Sequence, residues 1–185
     1  MIVGVPKEVK KQEHRVALLP SAAYQLAKRG HKIVAERGCG IGAGFLDKEY
    51  ETAGATLVDT HAAVFEQADL IVKVKEPQPA EVGMLRRGQI LFTYLHLAAD
   101  AEQARGLMKS GVTALAYETV TAGDGSLPLL TPMSEVAGRM SVQVGAHYLE
   151  KEAGGAGVLL PRTGHRTEVP IAHLGSIRSP VDMWG

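Results

Sequence analysis

Two short segments carry cationic side chains next to apolar runs. Arg15 follows a polar stretch and precedes the apolar residues 16–19, so its guanidinium is placed to grip a carboxylate at the margin of a core. Lys73 and Lys75 close another apolar run, and alternation along a strand directs both to the same side. One of these lysines is a candidate second arm of an anion clamp. An equally good interpretation has both extending to solvent.

A third segment ends in a histidine. His96 follows the apolar residues 89–95 and precedes small residues that leave room around it. A lone histidine is more often structural, but its place at the end of a strand supports a proton-transfer role equally well. Glu118 lies in the same cleft or, more simply, is an exposed carboxylate at a strand end. The other histidines, His61 among them, lack such a setting, and Lys10 is interpreted as a solvated loop residue.

The elements that place these residues alternate along the chain. Short β-branched runs and Ala-rich amphipathic stretches predict an α/β fold, a parallel flavodoxin-like or Rossmann-like sheet flanked by helices. Strands are predicted at residues 2–5, 31–36, 69–74, 89–95 and 113–117, with a short one near Leu57. Helix starts are predicted at Ser21, Asp47, Asp59, Pro79 and Asp100.

The pattern changes after Tyr117, where Gly, Asp and Pro indicate a loop. A long helix is expected at residues 133–152, with Ser134 as its cap, because apolar residues recur there at spacings of three and four. We therefore expect a first domain at 1–132, a helix linking it to another domain at 133–152, and an irregular tail at 153–185.

Composition narrows the classes of partner. The 185 residues include 20 basic and 20 acidic side chains, so no strong field favours nucleic acid or a membrane surface, and a small molecule is the expected partner. The single cysteine, Cys39, excludes an intramolecular disulfide and a thiolate zinc site; we expect no metal and a cytoplasmic location. The amino terminus has only a short apolar run, unlike a signal peptide.

Residues 38–43 fit the G-x-G-x-x-A pattern of dinucleotide-binding loops, and Asp59 follows Gly38 by 21 residues. That pattern works when the loop runs directly into a helix whose N–H groups hold the pyrophosphate. Here the helix is predicted only from Asp47, and Asp59 begins a helix instead of ending a strand. A glycine-rich surface loop is the favoured interpretation, and a minimal enzyme that uses this loop for a cofactor is the least favoured one.

Several segments together resemble the amino-terminal, substrate-binding domain of the alanine dehydrogenases. They keep the order and spacing of that family and cover about residues 1–160. The matching segments are residues 4–8, 14–17, 72–77, 91–98, 116–119 and 132–139. The resemblance to the related transhydrogenase and saccharopine dehydrogenase domains is weaker.

The resemblance implies roles for particular residues. Arg15 and Lys75 would bind the carboxylate and carbonyl of the substrate, and His96 would act in acid–base chemistry. Leu130 and Met133 would line the cleft, and Ser134 would face the nicotinamide cofactor. The implied reaction is the reversible NAD-dependent oxidative deamination of L-alanine to pyruvate and ammonium.

The family's nucleotide-binding domain has no counterpart in residues 161–185, so we expect a truncated substrate-binding part that is inactive alone and binds NAD weakly or not at all. The alternative is a non-catalytic module for a small keto or amino acid, or for oligomerisation. Because the family forms hexamers, the resemblance also implies a homo-oligomer.

Overall fold

The computed structural model describes residues 1–159. The chain forms two compact units, Met1–Thr119 and a second that begins at Val120. The expected irregular tail, residues 153–185, lies mainly outside the described residues. That it does not supply a nucleotide-binding domain stays a prediction.

The first unit is built on a six-stranded sheet whose paired strands are all parallel. The strand order is β3-β2-β1-β4-β5-β6, so the predicted parallel α/β sheet is confirmed, in the Rossmann-like order. The strands are β1 (Ile2–Val5), β2 (Lys32–Glu36), β3 (Ala55–Val58), β4 (Leu70–Val72), β5 (Ile90–Thr93) and β6 (Thr113–Ala116).

Three strands end earlier than predicted: β6 by one residue and β4 and β5 by two each, and side chains explain the ends of β4 and β5. β4 stops at Val72 because the N–H of Val74 donates to the Glu8 carboxylate at 2.6 Å. β5 stops at Thr93: Tyr94 N still donates to Val74 O at 3.3 Å, and the next two N–H groups, of Leu95 and His96, donate to the Glu118 carboxylate. The backbone therefore leaves the sheet where the sequence places its polar residues.

The helices are α1 (Pro20–Lys28), α2 (Asp47–Thr52), α3 (His61–Gln67), α4 (Pro79–Val82), α5 (Ala101–Ser110) and α6 (Thr131–Leu149). The predicted cap at Asp100 is confirmed, because its carboxylate accepts from the N–H groups of residues 102 and 103. Asp59 is not a cap; Thr60 takes that place and accepts from Ala63 N. Ser21, predicted as the residue before a helix, lies inside α1, because Leu19 is at the cap position and a proline with a pre-set φ opens the helix.

Apolar side chains cover both faces of the sheet. Val72 belongs to one buried cluster and its neighbour Ile71 to the other, as strand alternation requires. Gly4 allows β1 to approach α3 closely, because a Cβ at that position would lie 2.6 Å from the Cβ of Ala68. The core thus fixes the central strands that carry the polar loops.

The described part of the second unit contains α6, which starts at Thr131 and ends at Leu149 instead of spanning 133–152. Ser134 is not its cap: the helix begins three residues earlier, near Pro132, and Ser134 N donates to Leu130 O at 3.2 Å. No helix among the described residues is long and apolar enough to cross a membrane.

Candidate functional site

The sheet topology selects one edge for a site. From β1 the chain proceeds to β2 and β3 on one side, whereas β4, β5 and β6 lie on the other. In open parallel sheets, ligands bind outside the carboxyl ends of the strands at this switch point. Glu8 follows β1, and Lys73 and Lys75 follow β4, so these polar residues lie at that place in the first unit.

Lys73 is a structural cation. It is 1% exposed, and its Nζ lies 3.2 Å from Glu8 Oε2 and 2.8 Å from Glu81 Oε1. The interpretation in which it extends to solvent is therefore wrong. With two carboxylates beside it, Lys73 is neutralised within the protein, and the half-buried Lys75 is the lysine of this segment with a partly open side chain.

The buried ion pairs continue beyond Lys73. The imidazole of His61 bridges two carboxylates, with Nδ1 2.7 Å from Glu36 Oε2 and Nε2 2.9 Å from Glu81 Oε1. Burial by itself lowers the pKa of His61, but the hydrogen bonds with Glu36 and Glu81 outweigh burial and raise the pKa to about 9. His61, for which no role was predicted, thus links β2 and α4 as a charged side chain.

The sequence did not indicate this cluster because its members are far apart along the chain. The one signal was Lys73, since a lysine at the end of a buried strand needs an acidic partner. Glu81 stands three residues after Gln78, whose N–H donates to Glu81 Oε2 at 2.7 Å. Glutamine is not among the usual capping residues, so this pairing left no recognisable pattern.

Arg15 is held by a neighbouring acid. Glu13 Oε1 accepts from Arg15 Nε at 2.8 Å, and Glu13 Oε2 accepts from Arg15 Nη2 at 2.6 Å. The Glu13 side chain is 6% exposed and that of Arg15 45% exposed. The hydrogen bonds from Arg15 lower the pKa of Glu13, to which the charge of Lys75 also contributes. Glu13 therefore holds Arg15 and lies in the field of Lys75, and the sequence alone did not single it out.

His96 is exposed and has a left-handed backbone, with φ 49° and ψ 38°. This conformation is uncommon for residues other than glycine and is enriched at functional sites. Glu118 holds it in place: its Oε1 accepts from the N–H of His96 at 2.7 Å and from that of Leu95 at 3.1 Å. Glu118 is half-buried, so its interpretation as an exposed strand-end carboxylate is wrong.

The ring of Tyr94 stacks on that of His96, and Tyr94 lies in the field of Arg15. Its ring is nearly parallel to that of His96, with the centroids 6.0 Å apart and an interplanar angle of 14°. Burial raises the pKa of Tyr94, while the positive charge of Arg15 opposes that shift. Arg15, Lys75 and His96 thus lie in the loops after three neighbouring strands, and sequence reasoning missed Glu13, which holds Arg15, and Tyr94, which stacks on His96.

Two cations and an exposed imidazole thus follow the carboxyl ends of neighbouring strands. A guanidinium and an ammonium bind a carboxylate and an adjacent carbonyl oxygen, and an exposed imidazole gives or takes a proton near neutral pH. The remaining sequence candidates, Leu130, Met133 and Ser134, belong to the second unit. Leu130 is buried there, and Met133 and Ser134 are half-buried in the first turn of α6.

The Gly38 loop does not have the geometry of a dinucleotide site. The N–H of Gly38 donates to the Asp47 carboxylate at 2.7 Å, and a 3₁₀ turn at Ile41–Ala43 separates the glycines from α2. A Cβ on Gly42 would lie 2.7 Å from the backbone oxygen of His14, so this glycine allows contact with the chain itself. Asp59, which follows β3, accepts from Arg37 Nε at 2.9 Å.

The fold is a doubly wound α/β domain with charged side chains at the carboxyl edge of its sheet. A family model described as alanine dehydrogenase/PNT, N-terminal domain, matches residues 4–137. The chain belongs to this family, which includes oxidoreductases.

Relatives and solved structures agree with the family assignment. Alanine dehydrogenase from Halomonas elongata is 57% identical over 161 residues, covering 87% of this chain and 43% of the relative. That from Bacillus subtilis is 54% identical over 160 residues, covering 86% and 42%. A solved L-alanine dehydrogenase is 53% identical with a TM-score of 0.78, covering 86% of this chain and 44% of that one.

A transhydrogenase structure from Sinorhizobium meliloti has a TM-score of 0.69 at 29% identity, covering 80% of this chain and 44% of that one. The chain thus spans less than half the length of these relatives.

Proposed function

We propose that this chain provides the substrate-binding part of an enzyme that interconverts L-alanine and pyruvate with release or uptake of ammonium. The observation that carries the proposal is the position of Arg15, Lys75 and His96 in the loops after β1, β4 and β5, which are neighbouring strands at the switch point of the sheet. The names of the relatives supply the substrate.

Each of the three residues has a distinct task in the proposal. Arg15 binds the substrate carboxylate, for which its planar donors are suited, and Lys75 binds the carbonyl oxygen of the keto acid. Binding at two points fixes the orientation of a three-carbon acid, which lowers the entropic cost of reaching a reactive geometry. His96 transfers a proton at the substrate oxygen or nitrogen. Leu130 and Met133 are proposed as residues that line a substrate cleft, on the strength of the family membership alone.

The proposed cofactor is NAD, which supplies the acceptor for the hydride that leaves the substrate. Ser134 is the residue proposed to face its nicotinamide. Since the Gly38 loop does not fit a dinucleotide, we expect no tight binding of NAD to this chain.

The proposal is tested by calorimetric titration of the 185-residue chain with pyruvate, L-alanine and NADH, together with an assay of alanine-dependent NADH formation. We expect saturable pyruvate binding that weakens in K75M, no NADH binding and no turnover. The matched control is K48M, since Lys48 is an exposed lysine of α2. Absence of pyruvate binding would overturn the proposal, and NADH binding with turnover would overturn the expected inactivity.

A second candidate function is self-association. It is favoured by α6, where Val136, Met140, Val144 and Tyr148 are between 45% and 65% exposed. Burial of such side chains against a second copy would be favourable. Light scattering of the chain and of a variant with V136S and M140S tests this candidate: a dimer or larger species that the substitutions dissociate supports it, and a monomer contradicts it.

A further inference from the structure

We propose that Glu8 is a positioning residue for Lys75, so that it determines recognition of the substrate carbonyl but not of the carboxylate. This inference rests on the proposed function. It concerns a buried acid whose carboxylate crosses from the loop after β1 to the loop after β4.

The first step is the contact of Glu8 with the backbone. Glu8 Oε1 accepts from Val74 N at 2.6 Å, and Oε2 accepts from Lys75 N at a longer 3.4 Å. These N–H groups belong to the two peptide planes that precede the Cα of Lys75. By holding both planes, Glu8 determines the direction in which the Lys75 side chain leaves the backbone.

The second step is the contact on the other side of Lys75. The carbonyl oxygen of Lys75 accepts from Thr93 Oγ1 at 2.8 Å, and Thr93 is 0% exposed. The peptide groups on both sides of the Lys75 Cα are therefore held by side chains, Glu8 before it and Thr93 after it. A lysine side chain is long and flexible, so a fixed origin restricts the volume that its ammonium reaches.

The third step explains why Glu8 itself does not move. Its side chain is 3% exposed, and its Oε2 is 3.2 Å from the Nζ of the buried Lys73. Lys73 is in turn paired with Glu81, which contacts His61. A charge held by this many partners in a buried cluster keeps one orientation, because other orientations would leave Lys73 or an N–H group without its acceptor.

The two candidate cations are therefore held by different residues. Glu13 holds Arg15, the arm proposed for the carboxylate, whereas Glu8 and Thr93 hold Lys75, the arm proposed for the carbonyl. Pyruvate and propionate distinguish the arms. Both have three carbons and one carboxylate, but propionate has no carbonyl oxygen.

The experiment is a titration of the 185-residue chain with pyruvate and with propionate, comparing the wild type with E8Q, K75M and the double variant E8Q/K75M. We expect K75M and E8Q each to weaken pyruvate binding by about tenfold, the worth of a hydrogen bond to a charged group. The double variant should be no weaker than K75M, and propionate affinity should change less than about twofold. E66Q, a carboxylate exposed on α3, is the matched control.

Two outcomes overturn the inference alone: pyruvate binding that depends on Lys75 but is unchanged in E8Q, or effects of E8Q and K75M that add. If the wild type binds no pyruvate, or if K75M binds it as the wild type does, the proposed function fails and the inference with it. If E8Q is unfolded by circular dichroism, T93V gives the test, because it removes the hydroxyl at constant shape. A selective loss of pyruvate affinity in T93V supports the inference, and an unchanged affinity overturns it.

Discussion

The buried carboxylate of Glu13 holds the guanidinium of Arg15 by accepting from its Nε and Nη2. The Glu13 side chain is 6% exposed and that of Arg15 is 45% exposed. A guanidinium has five N–H donors in a planar fork, so one edge can pair with Glu13 while another meets a ligand. Glu13 thereby fixes the plane of the group that is proposed to bind the substrate carboxylate.

From this relationship we predict that E13Q weakens the binding of pyruvate and propionate alike, each by about three- to tenfold. The reason is that both ligands need the Arg15 arm. Titration calorimetry measures the two affinities, with E66Q as the control for the same chemical change at an exposed site. Tighter binding in E13Q would mean that Glu13 competes with the substrate carboxylate instead of orienting its partner.

The buried pairs of Lys73 lead to a prediction about stability. K73M leaves Glu8 and Glu81 in the interior without their shared cation. We expect a loss of about 3–5 kcal/mol in the free energy of unfolding, as when one partner of a buried pair is removed. Urea unfolding followed by circular dichroism measures it, with K48M as the control. A loss as small as that of K48M would contradict the assignment of Lys73 as a structural cation.

The pKa of His61 leads to a pH dependence with a definite sign. The pKa is raised from 6.5 to about 9 in the folded protein, so the charged imidazole stabilises the fold fully below about pH 6.5. That contribution is lost as the pH rises through about 9. We therefore expect the free energy of unfolding to fall between about pH 7 and 9.5 in the wild type and to fall less in H61Q.

The measurement is urea unfolding at a series of pH values. H61Q should also be less stable at pH 7, by about 2–3 kcal/mol, since Glu36 and Glu81 lose their common charged partner. The same alkaline decrease in wild type and H61Q would show that His61 does not carry the effect.

The close contact at Gly42 leads to a prediction about stability. Its added Cβ would lie 2.7 Å from His14 O, so G42A should displace the loop or the backbone beside Arg15 and destabilise the chain by about 1–3 kcal/mol. G138A is the control, since nothing lies within 4 Å of that position and alanine favours a helix. An unchanged stability in G42A would contradict the proposed close contact.

Much of the first unit was predictable because its strands are buried on both faces. Such strands are continuous apolar runs, and all six predicted positions form strands. The helix starts were less predictable. Both α1 and α6 have a proline in their first two positions, Pro20 and Pro132, whereas the prediction relied on the hydroxyl side chains of Ser21 and Ser134.

The candidate site was predictable only in part, for a physical reason. Arg15, Lys75 and His96 stand out by their local settings, and their roles come from the resemblance and remain proposals. The acids that hold them do not stand out. Glu8 is separated from Val74 by 66 positions in the sequence, and Glu118 from His96 by 22, so these contacts form only once the sheet has formed.

The central claim is that the Arg15 and Lys75 loops together bind a small keto acid, and amide chemical shifts of the ¹⁵N-labelled 185-residue chain test it most directly. Titration with pyruvate should shift the amides of Arg15, Val74, Lys75 and His96 saturably, with smaller shifts in the Gly38 loop. Shifts that do not saturate, or that are largest at residues 38–44, would contradict the account.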